Sequence, residues 1–484
     1  MTLRIGCEIA AEALQTFARQ AHERRSPVIH QVPMAALAQR LELDRFIAEG
    51  GLGGDALRTF LATYLDAATR LHHPGYMAHQ VAVPHPMGAV ATLVDAFTNN
   101  AMAIYEMGPS AATVEYAVVN WMLGKVGWRP SPLPGLAAED EIYGGGVLTH
   151  GGSLANLTAL AAARGRIAPK AWQDGSPGDL VIVAPAGCHY SIARAAGILG
   201  LGRNAVKDAP TDADGRLDPD RLAAFIIGFR QQGLEILAVV ANACGTAVGL
   251  YDPLREVGTV CRDLGVWLHI DGAHGASALV SERHRSLLDG VELADSLVWD
   301  AHKMLRTPTL CAAVLMRDHR DLDGAFHEEA SYLFHEKDQP GFDFIHRSVE
   351  CTKAALGLKL FFVLAAEGER GIAAFIDRQT ALAKNAADLL RTKPGIDVAV
   401  EPQSNIVCFR VAGDDDHQLT LRKRLTEAGD HYVSTTEFRG RRWLRLALMN
   451  PMTDMTDIES LIDEIGSYQA FGEKRMPIYV SPWF

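Results

Sequence analysis

Several features are scarce or missing in this chain, and each absence removes a class of function. Its seven cysteines are scattered from Cys7 to Cys408 with no Cys-x-x-Cys pair. Neither a zinc ribbon nor a disulfide framework is therefore indicated, and a reducing compartment is expected. No apolar run approaches the length of a membrane span. The N-terminal residues Met-Thr-Leu-Arg-Ile-Gly-Cys-Glu lack a basic segment followed by an apolar core, so no secretory signal is expected and the cytoplasm is the default location. Basic residues are outnumbered, with 46 Lys and Arg against 58 Asp and Glu and a formal net charge of −12. Nucleic acid, which needs a basic face, is a poor candidate for the main partner. Internal repeats and low-complexity tracts are absent as well.

What is present reads as a folded, globular chain. Hydrophobic residues make up 48% and charged residues 21% of 484 residues, a length that implies two or three domains. Residues 1–70 read as helical, with Ala10–Ala21 and Asp55–Leu71 as amphipathic runs on either side of the glycine-rich break at 50–54. A long helical stretch from Met87 to Gly127 is interrupted near Gly108-Pro109. From about residue 140 the texture becomes alternating α/β. Strand-like runs occur at Leu180–Val183, Ile236–Val240, Val266–Ile270, Ser296–Trp299 and Cys311–Met316, most of them separated by helical segments. That rhythm predicts a mostly parallel sheet covered on both faces. Residues 327–347 read as a long polar loop of the kind that often closes active sites. After Ser348 a long helix leads into an α+β tail with strands near Ile406–Val411 and Trp443–Ala447.

The chemistry-bearing residues fall at the ends of those strands. In an open α/β sheet, ligands sit beyond the carboxyl ends of the strands. Taken in order, those ends carry His189, Thr246, Asp271 and the pair His302-Lys303. A lysine ending a buried strand is costly unless it is paired, shifted in pKa or used covalently. A lysine and an aspartate delivered to one sheet edge meet the needs of pyridoxal phosphate: an amine for its aldehyde and a carboxylate for its ring nitrogen. Gly272 and Ala273 are small enough to let a ring approach, and His189 is placed to stack on it. Gly152 and Ser153 open an alanine-rich helix whose free N–H groups suit a phosphate, with His302 as a further contact. Asp300 fits poorly beside a phosphate and is expected to point away or to accept a backbone N–H. A rival reading is a zinc hydrolase on His269, Asp271 and His274. Period-2 alternation puts His269 and Asp271 on one face with His274 beyond a turn, and no second ligand cluster has metal spacing, so no metal site is assigned.

These motifs resemble the group II pyridoxal-phosphate decarboxylases, which include the glutamate, cysteine sulfinate, diaminobutyrate and aromatic amino acid decarboxylases. His302-Lys303, Asp271-Gly272-Ala273, His189 and the run 152–156 carry the likeness, which extends from His73-Pro74-Gly75-Tyr76 to Asn450-Pro451. The resemblance implies pyridoxal-enzyme fold type I. It divides the chain into an N-terminal helical segment over 1–80 that packs in a dimer, a large cofactor domain over 81–347 with a mobile loop at 327–347, and a small C-terminal domain over 348–484. It also implies a homodimer with active sites at the subunit interface. Residue by residue, it makes Lys303 the Schiff-base lysine, Asp271 the pyridinium partner and His189 the stacking, catalytic histidine. Ala273 then packs on the opposite ring face, Thr246 lies beside the cofactor, and Gly152, Ser153 and His302 bind the phosphate. Tyr76 and His79 fall in a substrate-facing segment.

The implied reaction is decarboxylation of an L-amino acid to the amine and CO₂. The chain departs from the family pattern in the loop 333–346, which has no Tyr, the residue many relatives use to protonate Cα. Phe342 falls near that place, which makes an oxidative, aldehyde-forming decarboxylase the alternative; His335 and His346 are other candidate donors. Ala330–Phe334 and Glu350-Cys351 look like the glutamate and cysteine sulfinate branch, whereas Met77–Gln80 looks like the diaminobutyrate branch. Arg347 and Lys353 are candidate partners for a substrate side-chain carboxylate. The expectation is a small acidic amino acid.

Overall fold

A computed structural model describes residues 2–136, 138, 141–326 and 341–470. The chain divides into two compact units. One comprises Met1–His79, Lys384–Ala399 and Val407–Phe484, and the other Gln80–Ala383 with Val400–Ile406.

The second unit is built on a seven-stranded sheet of β1 (Gly145–Thr149), β2 (Leu180–Ala184), β3 (Val206–Asp208), β4 (Glu235–Asn242), β5 (Leu268–Asp271), β6 (Ser296–Asp300) and β7 (Ala312–Met316). Their spatial order is β1-β7-β6-β5-β4-β2-β3. The pairs from β3 to β6 are parallel, and β7 runs antiparallel to both β6 and β1. Every residue of β1, β2, β5, β6 and β7 is buried. Burial on both faces explains why these strands read as continuous apolar runs instead of alternating ones. Trp299, next to last in β6, is fully enclosed and donates its indole N–H to Ser277 Oγ at 2.9 Å. Because β2, β4, β5 and β6 run parallel, the residues that follow them emerge at one edge of the sheet.

Two strands of this sheet escaped the sequence pattern. β1 contains Gly145 and Gly146, where a Cβ would press within 3 Å of neighbouring atoms, so its signal is tight packing without bulk. β3 is only three residues long. The helical reading of 87–127 resolves into Pro86–Thr98 and Pro109–Val126, separated by a 3₁₀ turn at Tyr105–Met107.

In the first unit, the helices Leu3–His22 and Asp55–Asp66 pack on one another. A second sheet contains β8 (Ile396–Val398), β9 (Ile406–Val411), β10 (Ser434–Phe438) and β11 (Arg441–Ala447), in the order β10-β11-β9-β8. The polar sequence Ser-Thr-Thr-Glu-Phe of β10 hid it from an apolar search. The long helix Leu356–Arg391 breaks at Gly368, whose φ is +65°. Among the described residues no helix is long and apolar enough to cross a membrane.

Candidate active site

The carboxyl edge of the parallel strands surrounds a cavity of about 270 Å³. Its lining includes Gly152, Ser153, His189, Thr246, Asp271, Ala273, His302 and Lys303, together with His150, Asn156, Cys244, Asp300 and Leu310. The strands bring these residues together from positions far apart in sequence. β5 ends in Asp271 and β6 in Asp300, and the turn after β6 delivers His302 and Lys303. The helix Gly152–Ile167 starts at the cavity, following Gly151 at φ +106°, a conformation that side chains rarely adopt.

Asp271 is 7% exposed. Its Oδ2 accepts an N–H from Asn156 at 3.0 Å and its Oδ1 accepts the backbone N–H of Ala273 at 3.2 Å. His189 Nδ1 lies 2.8 Å from Ser191 Oγ and also accepts the Ser191 backbone N–H at 3.3 Å. Burial foremost holds the His189 pKa below the usual imidazole range, against the opposing pull of Asp271 and with help from Lys303. The neighbouring Cys188 thiol is pushed up to about 12, chiefly by burial, which makes it a poor nucleophile. His302 donates from Nδ1 to the Cys311 carbonyl at 2.8 Å.

Asp300 departs from expectation. Its carboxylate turns into the site, with Oδ2 3.3 Å from Lys303 Nζ and 3.6 Å from His302 Nε2. It is 2% exposed, and its Oδ1 has no hydrogen-bond partner. A Cβ added at Gly152 would sit 2.8 Å from this carboxylate, which would have to shift to admit a larger residue. The pairing with Lys303 and the partial positive charge at the helix start together draw the carboxylate inward.

The other candidates have partners of their own. Tyr76 and His79 belong to the first unit, where His79 Nε2 is 3.1 Å from the Tyr432 hydroxyl and Tyr76 packs its ring at 6.0 Å from that of Tyr432. Phe342 joins a ring cluster with Tyr116 and Phe344 at 5.0 and 4.8 Å, under the Arg347 guanidinium; it does not line the cavity. Residues 327–340 of the expected loop, including His335, lie outside the described residues. Arg347 is 4% exposed and paired with Asp323 at 2.8 Å. Lys353 is enclosed and paired with Glu115 at 2.9 Å. Both are held by the protein itself and so do not serve as exposed anion receptors. His269 and His274 direct Nε2 to Asn156 and Asn405 respectively, so the two imidazoles do not converge with Asp271 as zinc ligands would.

The residues present suit pyridoxal phosphate. An amine, a carboxylate held as acceptor, an imidazole and a glycine-lined helix start face one cavity, and the orphaned Oδ1 of Asp300 marks a polar position left for a ligand group. The sequence reasoning missed His150, Asn156, Cys244 and Leu310. Asn156 was discoverable from its place one turn beyond Ser153 on the same helix face; Leu310 gave no signal.

The profile of the pyridoxal-dependent decarboxylase conserved domain matches residues 59–412. The acidic amino acid decarboxylase of Mus musculus is 28% identical over 482 residues, covering 95% of this chain and 84% of that protein. The L-2,4-diaminobutyrate decarboxylase of Rhizobium meliloti is 33% identical over 413 residues, covering 83% and 79%. A crystal structure of mouse CSAD superposes with a TM-score of 0.82 at 26% identity, covering 95% of this chain and 98% of that one.

Proposed function

This chain belongs to the pyridoxal-dependent decarboxylase family, and from that premise we propose that it decarboxylates a small acidic L-amino acid with Lys303, Asp271 and His189 at the reacting centre. It is a carboxy-lyase whose cofactor is pyridoxal phosphate. The observation that carries the assignment of residues is the shared cavity: the Lys303 amine, the Asp271 carboxylate and the His189 imidazole border one space at the start of the helix Gly152–Ile167.

Pyridoxal phosphate, when bound, supplies an aldehyde that joins to amines and a ring that takes up the electron pair freed at Cα. Lys303 would be the protein's amine for that aldehyde, and its Nζ faces the cavity where the substrate amine would arrive. Asp271, already accepting two N–H groups, keeps a lone pair for a protonated ring nitrogen. His189, whose cation is disfavoured by burial, would be a stacking partner and hydrogen-bond donor for the ring. Gly152, Ser153 and His302 would hold the phosphate at the helix start, and Thr246 and Ala273 line the cavity where the ring would sit. Tyr76 and His79 are assigned to the substrate side.

The acidic preference rests on the names of relatives, the acidic amino acid and cysteine sulfinic acid decarboxylases of Mus musculus. Since Arg347 and Lys353 are already paired internally, the side-chain carboxylate must be met by other groups. A homodimer is supported by the helix Pro86–Thr98, which exposes Met87, Val90, Leu93, Val94 and Phe97. It is supported too by Leu310, which lines the cavity yet is 45% exposed. The segment 1–80 is the other surface assigned to that contact. A cytoplasmic location agrees with cysteines that are all free.

The test is product analysis by mass spectrometry with a panel of L-amino acids and added cofactor, on the wild type and Lys303→Ala. An amine one CO₂ lighter than aspartate, glutamate or cysteine sulfinate, absent in the variant, is expected. Turnover of diaminobutyrate alone would refute the acidic assignment, and an active Lys303→Ala would refute the site.

A further inference from the structure

Behind the cavity wall, a chain of buried hydrogen bonds allows its protons one consistent arrangement. At its centre is Asn156, 1% exposed, on the helix Gly152–Ile167. The amide Nδ2 lies 3.0 Å from Asp271 Oδ2 and 2.8 Å from Ser191 Oγ. Its Oδ1 lies 2.9 Å from His269 Nε2. An ionised Asp271 requires a donor at 3.0 Å, so the NH₂ end of the amide must face it. The carbonyl end then faces His269, whose Nε2 must carry hydrogen.

His269 is fully enclosed, and burial holds its pKa down at about 4, so it is neutral. With hydrogen on Nε2, its Nδ1 has a lone pair, which takes the Ser296 hydroxyl hydrogen at 2.8 Å. Ser296 Oγ in turn accepts the Trp267 indole N–H at 2.9 Å. Indole is a donor only, so the chain is anchored in one direction. On the other side, Ser191 Oγ accepts from Asn156, which turns the Ser191 hydroxyl hydrogen toward His189 Nδ1 at 2.8 Å. The Ser191 backbone N–H reaches the same Nδ1. His189 is left with its hydrogen on Nε2.

We infer that Asn156, anchored by His269, Ser296 and Trp267, is a positioning residue that holds Asp271 as a carboxylate and His189 as its Nε2–H tautomer. Asn156 links Asp271 directly, and His189 through Ser191, by its own two N–H hydrogens. The inference rests on the roles proposed for Asp271 and His189, but the proton arrangement is present in the protein alone. Other charged groups facing His189 are Lys303, Asp300 and Arg194, and Asp271 also faces Cys188 and His269. None of them supplies the second N–H that Asn156 gives to Asp271.

The experiment is ¹⁵N NMR of the imidazole nitrogens in cofactor-free protein, with His189 assigned through His189→Gln. A single Nε2–H tautomer at neutral pH is expected in the wild type, and an Nδ1–H tautomer would overturn the inference. Asn156→Asp keeps the shape but sets a second carboxylate against Asp271, so the two share one proton. The Ser191 hydroxyl then turns to the new oxygen, and the His189 signals should become a mixture of tautomers. In the cofactor-loaded variant, the pH midpoint of the visible absorbance should move by about one unit or more. Ser191→Ala, a smaller change, should mix the tautomers while leaving that midpoint in place. Unchanged tautomer and midpoint in Asn156→Asp would contradict the role. Because the tautomer is read without substrate or cofactor, failure of the decarboxylase assignment leaves this result separately interpretable.

Discussion

Two lysines enclosed by the same unit have opposite surroundings. Lys353 has a side chain with no exposure, pairs with Glu115 at 2.9 Å and donates to the Leu148 carbonyl at 2.6 Å. Glu115 also accepts the Leu148 backbone N–H at 2.9 Å. Lys303 has a side chain 20% exposed, faces a cavity, and has one carboxylate, Asp300, at 3.3 Å. The first lysine is fully occupied in holding the helix Pro109–Val126 to β1 and the segment near residue 353. The second keeps an amine available at the edge of a space that a small molecule can enter. Burial alone therefore does not separate structural from chemical lysines; the number of hydrogen-bonding partners and the adjacent cavity do.

The largest effect on stability is expected at the structural lysine. Lys353→Met leaves Glu115 charged and unpaired in the interior and should cost about 3–5 kcal/mol, measured by denaturant unfolding. The cofactor absorbance of the folded fraction should stay unchanged. Adding Glu115→Gln should restore most of that loss, because no buried charge then remains. A double variant as unstable as the single one would break the comparison.

Histidines repeat the contrast and add a pH dependence. His269 has a folded pKa of about 4, below its unfolded value near 6.5, because burial penalises the cation. The unfolded chain therefore binds the extra proton first as pH falls. The stability His269 contributes is complete above about pH 6.5 and is lost progressively toward pH 4, by up to about 3 kcal/mol. His269→Gln should flatten that part of the stability profile; an equally steep profile would show that other groups carry it.

Asp300→Asn sharpens the comparison on the chemical side. It removes a buried negative charge from beside the phosphate position and should tighten pyridoxal phosphate binding by about tenfold, or about 1.4 kcal/mol, read by fluorescence titration. Weaker binding would mean that the Asp300–Lys303 pair is needed for loading. The smallest effect is expected at Phe342, which packs on Tyr116 and Phe344 and is not among the residues lining the cavity. Phe342→Tyr should leave the amine-to-aldehyde product ratio unchanged and shift stability by less than about 1 kcal/mol.

How much of this was legible in the sequence follows from what sequence patterns encode. Asp271, Lys303 and the residues after β2 and β4 stood out because a buried strand ending in a polar group violates the local apolar pattern. The edge they share follows from parallel pairing, so their meeting in one cavity was open to inference. Asn156 and Ser191 were not singled out, since their meaning depends on Asp271 and His189 being brought to them by the fold. Arg347 and Lys353 were misjudged for the same reason: their partners, Asp323 and Glu115, are distant in sequence, and no local pattern announces the pairing. Asp300 was expected to turn away from the site, yet the nearby Lys303 ammonium and the helix start hold it inward.

The central claim is that Lys303, and not its fully paired counterpart, carries the cofactor. The most direct measurement is to load the purified protein with pyridoxal phosphate, reduce it with borohydride, digest it and map the modified peptide by mass spectrometry. A phosphopyridoxyl group is expected on the peptide that contains Lys303, with Lys353 unmodified. Modification of another lysine, with Lys303 left free, would contradict it.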